Sequence, residues 1–408
     1  MKIIRYNATK QLEKIYNRGF IKSHRVEEKV KRIIEDVRIF GDEALLRYMR
    51  KFDKVKLTAK QLRISEREIS GAYQSISGDF VTQLKVIIEN INRFYRKQLK
   101  KSWRIKDTDG LILGEKYEPL ERLGVYVPAG TAPLVSTVYM TVLPAKIAGV
   151  KKIVLVSPPD KNGNINPHIL VVADLLKVDG VYRIGGAQAI AALAFGTKTI
   201  PKVDKIVGPG NIYVSEAKRQ VFGYVDIDMV AGPTELVIVA NRFSDPKFII
   251  ADLKAQAEHA GGLAVLITNS KALAKTVKAQ LNINGAIILT KNIRQAMEIA
   301  NTIAPEHLEI FVKNPQRMLK FVHNAGAVFL GPYSPTAVGD YVAGPSHVLP
   351  TAGTARFFSG LSVYDFIKSI HIIGYSKKAL EKVRLPLEKI ASIEGLTEHL
   401  ESVKARFL

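Results

Sequence analysis

The stretch LGVYVPAGTAPLVSTVYMTVLPAKIAGVKKIVLV, Leu123 to Val156, sets a β-rich run at Gly124–Val127 before a turn and a helical stretch, and a second run at Ile153–Val156. The same order recurs at Val181–Ile184 and Lys205–Val207. Strand, turn and helix in repetition predict a doubly wound parallel sheet. A second series runs through Leu236–Ala240, Ala264–Thr268, Ala286–Thr290, Leu308–Val312 and Ala327–Leu330, so two α/β units are expected. Upstream, the first hundred residues read as helical. Asp42 is placed to cap a helix through Tyr48, Ser65 and Glu68 have capping-box spacing, and a longer helix follows Asp79. A helical tail is expected after about Ser362.

A chain of 408 residues, 47% hydrophobic and 24% charged, has room for two or three packed domains. No apolar run reaches the ~18 residues of a membrane span. The opening MKIIRYNATKQLEK is basic without an apolar stretch behind it, so a cytoplasmic address and no membrane partner are expected. The absence of cysteine excludes disulfides, thiolate metal sites, iron–sulfur centres and a thiol nucleophile. Any metal must use histidine, carboxylate or amide ligands.

The net charge of +22 raises a basic nucleic-acid-binding protein as the rival class. Its densest basic run is KQLKKSWRIK, Lys97 to Lys106, while elsewhere Lys and Arg alternate with Glu and Asp. No nucleic-acid motif accompanies the charge, so dispersed surface charge is the preferred reading and no nucleic-acid partner is expected.

The usual dinucleotide fingerprint is missing, because Gly208-Pro209-Gly210 is followed by Tyr213 where a third glycine would fall. Gly185-Gly186-Ala187-Gln188 and Gly208-Pro209-Gly210-Asn211 do stand at strand-to-helix turns, where small residues admit a ligand to free backbone N–H groups. Plain chain reversals would read the same. Gln256 and His259, in AQAEHAGG, share a helix face, yet amide oxygen is a poor zinc ligand and alone the pair reads as a satisfied contact. Glu306 and His307, in APEHLEIF, put an acid beside an imidazole at a sheet rim, suited to proton transfer or to a structural pairing. Asp340 and His347 lie in the irregular SPTAVGDYVAGPSHVLPTAG, and an irregular segment of that length usually serves a function. His399, five residues after Glu394 in EGLTEHLESVKARF, reads by default as a surface residue of a terminal helix.

Taken together the motifs resemble those of the histidinol dehydrogenase family, from about Leu123 to the last residues. VYVPAGTAPLVSTVYMTVLPAKIAG, IGGAQAIAALAFGT, VDKIVGPGN, QAEH, PEHLEI and GDYVAGPSHVLPT occur in the family's order. The resemblance implies incomplete Rossmann-like domains: an N-terminal segment 1–20, a discontinuous α/β domain of 21–121 with 234–360 carrying metal and catalytic residues, an NAD-side domain 122–233, and a dimerisation tail 361–408. It implies one zinc ion per subunit on Gln256, His259, Asp340 and His399, and proton transfer by Glu306 and His307. NAD contacts fall on Tyr126, Gln188 and Asn211. Substrate contacts fall on Thr234, His347 and Glu394, together with the metal ligands and His307. The family usually has Ser where this chain has Thr234. It also implies a homodimer whose exchanged tail takes Glu394 and His399 to the partner's site.

The implied reaction is the last step of histidine biosynthesis, oxidation of L-histidinol through the aldehyde to L-histidine with two NAD and one water. Without a cysteine the aldehyde must be hydrated, and its gem-diol then behaves as a second alcohol. His307 is expected to serve as base in both oxidations and Glu306 to activate the water. A metal-dependent dehydrogenase for another amino alcohol is the second rival.

Overall fold

The computed structural model describes residues 1–18, 23–129, 132–259 and 261–407. The expected limit at residues 20 and 21 therefore lies outside the described residues. The chain forms two compact units, one of Met1–Gln98 with Leu120–Phe366, the other of Leu99–Pro119 with Ile367–Leu408.

In chain order the strands are β1 (Lys2–Arg5), β2 (Trp103–Lys106), β3 (Ile112–Pro119), β4 (Arg122–Tyr126), β5 (Lys152–Ser157), β6 (Gly180–Arg183) and β7 (Lys205–Val207). They continue as β8 (Asp226–Ile227), β9 (Glu235–Ala240), β10 (Leu263–Thr268), β11 (Ala286–Leu289), β12 (His307–Phe311), β13 (Ala327–Leu330) and β14 (Ile367–Gly374). The first unit holds two all-parallel sheets, six-stranded in the order β1-β11-β10-β9-β12-β13 and five-stranded in the order β6-β5-β4-β7-β8. These are the two doubly wound α/β units that the sequence pattern predicts. All six residues of β9, ELVIVA, are buried, and β5, KIVLVS, is buried after its first residue. Helices cover both faces of such strands, so their apolar residues run on without alternation.

The N-terminal region is helical after β1, and β1 itself pairs with β11 in register Lys2 to Ala286. The Ser65–Glu68 capping box forms as expected. Asp42 is the first helical residue and not the cap, which is Gly41; its carboxylate accepts the Thr199 hydroxyl at 2.7 Å instead. The longer helix expected after Asp79 spans Gly78–Tyr95 and is capped by Ser77, two residues before Asp79.

The second unit carries the antiparallel sheet β14-β3-β2. Its tail is helical beyond β14, in Lys377–Ile393 and Thr397–Lys404. Among the described residues no helix is long and apolar enough to cross a membrane.

Candidate active site

The starts of two neighbouring strands build the densest polar cluster. β9 and β12 pair with His307 opposite Leu236, which brings Glu306 beside Glu235. Glu306 is buried, and its Oε2 accepts from the Thr234 hydroxyl at 2.6 Å and from the Glu235 amide at 2.9 Å. Burial drives its carboxyl up, with His307, Thr234 and the Glu235 amide holding it back.

His307 Nδ1 lies 3.1 Å from the Glu235 carbonyl oxygen. A carbonyl only accepts, so Nδ1 carries the hydrogen and Nε2 is the atom left for chemistry. That Nε2 is buried, has no hydrogen-bond partner, and stands 3.5 Å from Asp340 Oδ1. Burial pulls the imidazole down, but Glu306, Asp340 and the Glu235 carbonyl outweigh it and hold it at about 9.

Asp340 sits in the short helix Thr336–Tyr341, inside the stretch read from sequence as irregular. Burial pushes its carboxyl up, and the facing imidazoles of His307, His347 and His259 bring it below the ordinary range. The ring of His347 lies with Nδ1 3.0 Å from the Asp340 carbonyl and Nε2 3.3 Å from the Thr137 hydroxyl, and burial lowers its basicity. A cavity of about 560 Å³ is bounded by His307, Asp340, His347, Phe329 and Leu349. Titratable groups thus share a pocket with apolar walls.

Gln256 is buried near the end of the helix Pro246–Ala257, and its Nε2 has no partner. His259 follows that helix and is exposed. Among the described residues no three His, Asp or Glu side chains stand together as a ligand group. The residues present still fit a zinc ion in kind. Asp340 supplies charge, His259 an imidazole near it, and Gln256 an unsatisfied amide whose ends can exchange. Glu394 and His399 belong to the second unit, where both are exposed.

The residues read as cofactor contacts lie at the other rim, where strands of the five-stranded sheet end. The Tyr126 hydroxyl accepts from the Gly186 amide at 3.1 Å, and burial pushes it up to about 12. Gln188 is buried with Oε1 unpartnered. Asn211 caps the helix Ile212–Val221, its Oδ1 accepting from Tyr213 and Val214 at 3.0 and 3.2 Å, so only its amide N–H groups remain for a ligand. Gly208, at φ +117°, passes so close to Tyr126 that a Cβ would fall 2.1 Å from its carbonyl oxygen. Its peptide is clamped from both sides. The Gly208 amide donates to Asp228 Oδ2 at 2.8 Å, and Lys218, ion-paired with Asp228, donates to the Gly208 carbonyl at 3.0 Å.

Sequence reading missed Glu235 and the buried Glu309 with its half-buried neighbour Asp252. Glu309 accepts from the Thr336 amide at 3.1 Å and is pushed up to about 9 by burial and by Asp252. A charged residue inside the apolar run HLEIF was the available signal. Glu235 gave none, since an acid after a Gly-Pro turn usually faces water.

The histidinol dehydrogenase family model matches residues 16–407. The histidinol dehydrogenase of Clostridium acetobutylicum is 49% identical over 396 residues, covering 93% of this chain and 91% of its own. That of Caldanaerobacter subterraneus subsp. tengcongensis is 47% identical over 98% of both chains. The crystal structure of histidinol dehydrogenase from Elizabethkingia anophelis superposes with a TM-score of 0.93 at 36% identity, covering 100% of this chain and 98% of that one. With its two parallel sheets and its Glu-His pair in place, the chain belongs to the histidinol dehydrogenase family of NAD-dependent oxidoreductases.

Proposed function

We propose that the chain oxidises L-histidinol through L-histidinaldehyde to L-histidine with two NAD and one water, closing histidine biosynthesis in the cytoplasm. The observation that carries this reading is His307, anchored at Nδ1 with a free Nε2 beside Asp340 on the wall of a cavity.

Zinc on Gln256, His259, Asp340 and His399 supplies, when bound, a template for the substrate's amino and imidazole nitrogens, and bound NAD supplies the hydride acceptor. The remaining work falls to side chains. His307 Nε2 removes the alcohol proton in the first oxidation and a gem-diol proton in the second, the same task twice. Glu306, buried and raised, accepts a proton from the water that hydrates the aldehyde. Thr234 holds Glu306 through its hydroxyl proton and keeps lone pairs for the substrate. His347, its basicity lowered by burial, lines the cavity where the substrate ring lies. Tyr126, Gln188 and Asn211 contact NAD.

In this reading residues 122–233 form the NAD-side domain, 21–121 with 234–360 the catalytic domain, and 361–408 the tail of a homodimer. Exchange of that tail takes Glu394 and His399 to the partner's site. Counting product against substrate tests the whole scheme. Two NADH per L-histidinol consumed are expected, and one or none would refute it.

A further inference from the structure

Arg18 and Glu235 are 217 positions apart and form a buried two-pronged ion pair, Nε to Oε1 and Nη2 to Oε2, both at 2.6 Å. Their side chains are 13% and 4% exposed, and both line a cavity of about 630 Å³ that Asn211 and Ala352 also border. Everything else Glu235 offers is spent on the Glu-His pair or the segment behind it. Its amide donates to Glu306 Oε2, its carbonyl accepts from His307 Nδ1, and its Oε2 accepts from the Glu306 amide at 3.3 Å. Its Oε1 also accepts from the Ala352 amide at 3.0 Å.

We infer that Glu235, locked by Arg18, is the positioning residue that sets the angle and depth of the Glu306–His307 dipeptide. The inference rests on the proposed roles of those two residues. A fork of two charge-assisted bonds fixes its carboxylate in a plane, and the peptide of Glu306 is hung from that plane. Backbone position then fixes both catalytic side chains at once, because β9 meets each of them through one residue's main chain. Arg18 reaches in from beyond the helix Thr9–Tyr16, its Nη1 donating to the Ile15 carbonyl at 3.0 Å. A segment remote in sequence therefore holds the reacting groups without touching the cavity bounded by His307 and Asp340.

The test is Glu235→Gln in the full-length enzyme. An amide has one acceptor oxygen and cannot serve Arg18, Ala352 and Glu306 together. Misplacement of a catalytic group by about an ångström costs on the order of 10²-fold in rate. We expect kcat for L-histidinol to fall by that order with KM for substrate and NAD within about threefold of the parent, and with the folded fraction unchanged. Full kcat in folded Glu235→Gln would overturn the inference. Should that variant fail to fold, Arg18→Lys carries the test, because lysine keeps the charge and loses the fork. There a fall in kcat of roughly tenfold is expected, with Arg18→Met lower still, and equal kcat in parent and Arg18→Lys would overturn the inference. A parent enzyme that yields no NADH from L-histidinol would instead refute the proposed function, which separates the two failures.

Discussion

In the five-stranded sheet the candidate residues gather where strands end and helices begin; in the six-stranded sheet they gather where strands begin and helices end. Tyr126 ends β4, Gly186 and Gly208 follow β6 and β7, and the helices Gly186–Phe195 and Ile212–Val221 start there. Helix starts present free N–H groups and the positive end of the dipole, which suits an anionic dinucleotide. Glu235 and His307 open β9 and β12, and the helices Pro246–Ala257 and Ile293–Ile303 finish beside them. Helix ends present carbonyls and the negative end of the dipole, which suits a cation or an imidazolium. The polar residues follow suit. At the first rim the residues read as cofactor contacts are a hydroxyl and two amides, with the Lys218–Asp228 pair behind Gly208, while the second rim carries buried carboxyls and an imidazole. Opposite edges of two similar sheets thus present opposite helix-end charges.

The comparison breaks most visibly at His307. His307→Asn should lower both oxidations by ~10²–10⁴-fold with NAD binding retained, measured by single-turnover kinetics and by titration of the nucleotide. Near-normal turnover would detach the second rim from the chemistry. Gly208→Ala attacks the first rim, because the added Cβ meets the Tyr126 carbonyl at 2.1 Å. Strain of about 1–3 kcal/mol there corresponds to roughly a 5- to 150-fold weaker hold on NAD. An unaltered KM for NAD, with L-histidinol saturating, would show that the turn holds no cofactor.

A subtler probe is acidity. His307 is held at about 9, above the ordinary 6.5, and a base works only when unprotonated. Activity should therefore climb with pH, along a limb displaced upward from 6.5 toward 9; a pH–rate profile levelling off below 6.5 would contradict the charged character of that rim. The smallest effect is expected at Asp53, whose carboxyl burial pushes up to about 6 from 3.8 and whose Oδ2 has no partner. The folded protein holds that proton more tightly than the unfolded chain, so the contribution is complete below pH 3.8 and lost as pH rises through 6. Asp53→Asn should match the parent's melting temperature near pH 3.8 and exceed it at pH 7. Parallel curves would show that this carboxyl is not desolvated.

Legibility in the sequence followed burial. β5, β9 and β12 were readable because a strand covered on both faces is a continuous apolar run. β1 was not, since KIIR is four residues between charges, and β14 was not, because IKSIHIIG is mostly exposed and makes antiparallel pairs with no long apolar run. Glu306 and His307 announced themselves as an acid and an imidazole at a strand start. That they stand against Glu235 was invisible, because which strand lies beside which is a property of the sheet. Arg18 was unreadable in principle, as no local pattern names a partner beyond residue 200.

The position of β1 also bears on how the protein is made. Among the described residues its only sheet partner is β11, so the peptide around residue 2 must wait for residue 286 to be synthesised before its hydrogen bonds can close. Sheet completion then depends on closing a very long loop, a slow event during which both bare strand edges are open to wrong pairings. A bulky fusion placed just ahead of Lys2 would burden that late closure, and would do so far from any catalytic group.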